Sequence, residues 1–232
     1  MNYSAKFKEV ANLKWHPWIG DEYEFHSSDH RLLVVGESHY YHGKTPEERE
    51  INIAKYDSPS CTRETVEALG YDCRTWKKIP EILFMTGNID NHKFWRNTAF
   101  YNFIQRPMSF AKKERPTHSD FKKGWSVFAD VARIIQPSHC LFLGVSAFNY
   151  FNREMEKMGI DFEGVHCSSK INRTYPRTSS VELPHSKIPL VSIKHPGKFA
   201  SSNLWNSYLN DHPSGISKFF DKEKYKIAQP EP

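Results

Sequence analysis

Four short apolar runs divide the chain, at residues 32–35, 99–104, 140–143 and 188–193. Each is β-branched or aromatic and is bounded by polar or turn-forming residues, the pattern of strands buried on both faces. Helical signals fall between them. Thr45-Pro46-Glu47-Glu48 offers a cap, a proline at the first helical position and acids in the first turn. A second helix begins at Thr62-Arg63-Glu64-Thr65-Val66 and stops near Gly70, residues 76–86 read as helical, and residues 94–97 as a helical turn. Phe121, Trp125, Phe128, Ala132 and Ile135 recur at steps of three and four, which predicts one long helix with a single buried face, stopped by Pro137. Further helices are expected from Ser146 to about Met158, capped by Gly159, and over 204–209.

The first thirty residues mix aromatics and charges and are expected to form a helix and an irregular wrap over the sheet. The polar and basic stretch 168–186 reads as a surface loop or irregular insertion, and about 222–232 as a tail. Strands alternating with helices predict an α/β fold, a three-layer α/β/α domain spanning 1–232 around a central, mostly parallel sheet of four to five strands.

Ligands of open α/β sheets bind beyond the carboxyl ends of the strands. The first strand ends in Gly36-Glu37-Ser38-His39-Tyr40-Tyr41-His42, with a carboxylate, a hydroxyl, two imidazoles and two phenols in succession. The last ends in Lys194-His195-Pro196-Gly197-Lys198-Phe199. Two polar loops after two apolar strands are expected to meet at one cleft. Composition changes this picture little. The 232 residues carry a net charge of +5, compatible with a phosphate-bearing partner, although charge alone favours the plainer reading of scattered lysines. The cysteines Cys61, Cys73, Cys140 and Cys167 lack metal-ligand spacing, so no metal and no cofactor are expected. No signal-peptide pattern and no bilayer-length apolar run stand in the sequence, and the expectation is a cytoplasmic protein with reduced thiols, no membrane partner and a monomeric state.

With these elements in order, the chain resembles the uracil-DNA glycosylase superfamily. Gly36-Glu37-Ser38-His39-Tyr40 stands where that family has G-Q-D-P-Y or G-E-A-P-G. Asn102, followed by Gln105-Arg106-Pro107, stands where it has a strand asparagine, followed in one branch by C-R-P. His195-Pro196-Gly197 stands where it has H-P-S. The likeness covers roughly residues 30 to 210 and implies removal of uracil or a related damaged base from single- or double-stranded DNA. It implies that Glu37, with Ser38 at the family's aspartate position, orients water, and that His195 donates to the leaving base. Asn102 would read the base edge, beside a pocket of Gly36, His39, Tyr40 and Tyr41. Lys198, Ser201 and Ser202 would hold phosphates, and Phe199 would wedge into the base stack.

The departures are Ser38 for aspartate, His39 for proline and Gly197 for serine, and the iron–sulfur cysteines of one branch are missing. They keep open a catalytically silent nucleic-acid-binding relative. A serine hydrolase is the remaining alternative, since Ser38 and Ser146 each lie two residues after a strand-ending glycine. The nucleophile elbow G-x-S-x-G, however, would need a small residue where Tyr40 and Phe148 stand.

Overall fold

The computed structural model describes residues 3–68, 74–197, 200–217 and 221–227. Its strands are β1 (Trp18–Ile19), β2 (Leu32–Gly36), β3 (Tyr40–Tyr41), β4 (Thr98–Asn102), β5 (Met108–Ser109), β6 (His139–Leu143), β7 (Phe162–Cys167), β8 (Arg177–Leu183) and β9 (Ser186–Ile193). Its α-helices are α1 (Tyr3–Phe7), α2 (Pro46–Ala54), α3 (Cys61–Ala68), α4 (Arg74–Phe84), α5 (Asn91–Arg96), α6 (His118–Ile135), α7 (Phe151–Met158) and α8 (Ser202–Asp211).

The four apolar runs form the parallel centre of a seven-stranded sheet, ordered β1-β4-β2-β6-β9-β8-β7. Every residue of β2 and β4 is buried, as expected of strands covered on both faces. Helices on both faces bury two apolar clusters. One gathers Leu33, Val35, Tyr101 and Phe142 under α1, α6 and α7; the other gathers Val34, Phe100, Leu143 and Ile193 under α4, α5 and α8. The parallel register is what positions the site. Gly36 lies opposite Asn102, Val35 opposite Phe142, and Leu143 opposite Ile193, so residues 37, 103, 144 and 194 leave the sheet along one edge.

The sheet is larger than the expected four to five strands, because three antiparallel strands extend it. β1 comes from the N-terminal wrap and pairs with β4. β7 and β8 widen the other edge, and β8 lies inside the stretch 168–186 expected to be a loop. It is a buried strand built from polar residues, Thr178, Ser179 and Ser180. A backbone acceptor satisfies Ser179, whose hydroxyl donates to Glu163 O, and Ser192 of neighbouring β9 donates from its hydroxyl to Arg177 O (3.0 Å).

Helix starts follow their caps. Thr45 and Glu48 close a capping box on α2, and Thr117 and Asp120 close one on α6. The five residues expected on the inner face of α6 are all buried. Trp125 is fully enclosed and donates from Nε1 to Ala147 O (3.0 Å), a contact set whose truncation to alanine typically costs about 3–5 kcal/mol. The helix expected from Ser146 instead breaks into a 3-10 turn, Ser146–Asn149, before α7, which ends at Gly159 in the left-handed region. The expected stop near Gly70 lies outside the described residues. Tyr225, in the expected tail, is buried against Phe84 and Phe94. Among the described residues no helix is long and apolar enough to cross a membrane.

Candidate active site

Beyond the strand ends lies a cleft of about 740 Å³, whose walls include Glu37, Tyr40, Gly144 and His195. The ladder between β2 and β4 runs on past the strands, with Phe103 N donating to Gly36 O (2.9 Å) and Ile104 N to Glu37 O (2.8 Å). Glu37 is thus held by backbone bonds at the cleft floor. Its Oε2 accepts from the Tyr40 hydroxyl (3.0 Å), which leaves Oε1 for a ligand. Burial, and then the charge of Glu37, raise the Tyr40 pKa, so the phenol stays protonated and keeps donating.

His195 lines the same cleft and is exposed. The protein mass around it lowers its pKa below the usual imidazole value, while the charge of Glu37 pulls it back up. The imidazole is therefore neutral at neutral pH and carries one N–H donor.

Behind the floor, Asn102 packs on Gly36. A Cβ at residue 36 would fall inside contact distance of Asn102 Oδ1 and lie 2.9 Å from Phe100 Cζ, so only glycine lets the amide sit there. Asn102 is buried, with its side-chain Oδ1 turned toward Gly36. The amide brings both an acceptor and donors to the end of β4. Asn102 is not itself part of the open cleft wall.

No protein-family model matches this chain, and no curated protein matches it.

Other expected site residues take different places. His39 is not in the cleft. It is buried between Trp15 (ring centroids 4.7 Å) and Tyr56 (5.3 Å), and burial lowers its pKa to about 4. Its side chain turns inward because Met108 N holds its carbonyl (2.9 Å) and neighbouring Tyr40 and Tyr41 pair with β5. Tyr41 is half-buried and its carbonyl accepts from Phe110 N (3.1 Å). The Ser38 hydroxyl donates to Met108 Sδ (3.2 Å), with no histidine partner among the described residues, and exposed Ser146 has none either. Neither serine has the base a hydrolase nucleophile needs. Ser202 is buried with its hydroxyl on Glu81 Oε1 (2.5 Å), so it does not face a phosphate, while Ser201 is half-buried at the start of α8. Lys198 and Phe199 lie outside the described residues. Among the described residues no group of three histidine, cysteine or acidic side chains could hold a metal ion.

The segment after β5 forms a roof over the cleft. Phe110, Lys113, Glu114 and Arg115 line it. Arg106 anchors this roof: its Nε and Nη2 donate to the two Asp120 oxygens (2.8 Å each), and Nη1 donates to Glu114 (2.5 Å). Glu114 also accepts from Ser109 N (2.8 Å). Proximity in sequence to Asn102 is the one signal that could have pointed to this segment.

Proposed function

We propose that this protein is a DNA base-excision glycosylase that hydrolyses the N-glycosidic bond of uracil or a related damaged base. The observation that carries the reading is that Glu37 and His195 line one cleft, close enough for the charge of Glu37 to act on the imidazole. The Asn102 amide, packed directly behind Glu37's neighbour Gly36, adds to it.

In this reaction the bond between the sugar C1′ and the base nitrogen breaks and its electron pair leaves with the base. Positive charge builds on the sugar and negative charge on the base oxygen. The Glu37 carboxylate stabilises the first and orients water, whose oxygen bonds to C1′ and whose proton passes to the carboxylate. The His195 N–H faces the second, as a preorganised donor to the departing anion. The Asn102 amide offers both a donor and an acceptor to a base edge. A base inside a duplex is out of reach, so the substrate nucleotide is unpaired or flipped.

One observation favours a silent DNA-binding relative instead: Ser38, at the family's aspartate position, is turned to Met108, which leaves water activation to Glu37 alone. The two readings separate on incubation with uracil-containing single-stranded and duplex DNA, followed by alkaline cleavage of abasic sites. A glycosylase produces cleaved strands, Glu37→Gln abolishes them without loss of DNA binding, and Asn102→Asp reduces or redirects base choice. Binding without cleavage by wild type supports the silent relative.

A further inference from the structure

The cleft roof carries chemistry that base hydrolysis does not use. Phe110 is 59% exposed and lies beside exposed His42, with ring centroids 4.4 Å apart and the planes tilted by 37°. The parallel pairing of β3 with β5 and the bond from Phe110 N to Tyr41 O hold the two rings together. The following turn is tied at Lys113 N to Phe110 O (3.0 Å) and at Glu114 to Arg106, so the aromatic pair is presented on a fixed frame.

Lys112, Lys113 and Arg115 beside it are exposed and have no acidic partner among the described residues. The nearby acids are engaged, Glu114 by Arg106 and Ser109, and Glu37 by Tyr40. Spare cations around an exposed aromatic face match what a single strand offers, phosphates and unstacked base faces. In a duplex those faces already stack on each other. Lys113 fixes the turn beside the ring pair. Its φ of 50° lies in the left-handed region, where glycine or asparagine would sit without strain. Backbone strain of this kind gathers at ligand clamps.

We propose that Phe110 and His42 form a stacking platform for an unpaired nucleotide next to the reacting one, with Lys113 and Arg115 on its flanking phosphates, which makes single-stranded DNA the substrate form. The choice of DNA rests on the glycosylase reading; the preference for a single strand rests on the platform alone.

The test is fluorescence anisotropy with a short uracil-free oligonucleotide, as single-stranded DNA, as its duplex, and as RNA of matching sequence. Wild type binds single-stranded DNA most tightly. Phe110→Ala weakens that binding about ten-fold and leaves duplex binding unchanged, whereas Phe110→Trp retains it. Lys113→Gly melts at the wild-type temperature or above, yet the slope of log affinity against log salt falls by about 0.7, the loss of one single-strand phosphate contact. Phe110→Ala binding like wild type, a duplex preference, or an unchanged salt slope in Lys113→Gly overturns the platform, and tighter binding of RNA overturns the assignment to DNA. Uracil release, read separately, keeps the two ideas apart. A Phe110→Ala binding defect with no release by wild type upholds the platform and removes the glycosylase; release with unimpaired Phe110→Ala binding does the reverse.

Discussion

Gly36 and His39 lie three residues apart in one loop, and each answers to a different constraint. At Gly36 the room for a side chain is taken by the Asn102 amide and the edge of Phe100. Gly36→Ala forces that amide aside, with the roughly 1–3 kcal/mol penalty usual for overpacking. A fall in melting temperature together with a fall in base release is expected, and calorimetry beside the cleavage assay checks both. His39 is buried with Nε2 unpartnered, and its folded pKa of about 4 lies below the unfolded value near 6.5. Between those values the unfolded chain binds the proton and the folded one does not. Stability is therefore complete above pH 6.5 and declines as the pH falls toward 4, by about 3 kcal/mol in all. His39→Phe keeps the ring packing on Trp15 and Tyr56 and removes this decline. Urea unfolding at several pH values between 4 and 7 should give a flatter profile for the variant, with unimpaired base release. At this scale Glu37 and His195 were legible, because each follows an apolar strand directly. That His39 turns inward was not, since a two-residue strand is too short to display its alternation.

Among elements, the roof segment depends on one side chain. Arg106 joins Asp120, at the start of α6, to Glu114, in the roof. Burial alone would raise the Asp120 pKa, but hydrogen bonds from Arg106 and Thr117 bring it down to about 2. This carboxylate's contribution is present above its unfolded pKa near 4 and is lost as the pH falls through about 2. Arg106→Ala should shift acid unfolding upward in pH and weaken DNA binding by loosening the roof. Acid titration by circular dichroism and anisotropy read the two effects. The four parallel strands were legible because β2, β4, β6 and β9 are apolar runs. β8 was not, because Thr178, Ser179 and Ser180 look like a loop in sequence, and only their pairing with β9 shows them to be a buried strand. β1 is only two residues long, and nothing in Trp18-Ile19 announces pairing with β4.

For the whole molecule, a parallel sheet with helices on both faces sends residues 37, 103, 144 and 194 to one edge, and the Arg106-anchored roof covers the cleft formed there. The apolar runs in the sequence put Gly36, Asn102 and His195 at or just past strand ends on this edge, but nothing in them announced the roof, whose Phe110 and Lys113 belong to no expected element. The account stands or falls on base release. The most direct measurement is single-turnover conversion of a uracil-containing single-stranded oligonucleotide, with enzyme in excess, by wild type and by His195→Ala. Conversion to an abasic strand by wild type is predicted, slowed about a hundred- to a thousand-fold in His195→Ala at an unchanged melting temperature, as expected for one lost donor to the leaving anion. A strand that wild type binds but leaves intact, or one that His195→Ala converts as fast as wild type, would contradict it.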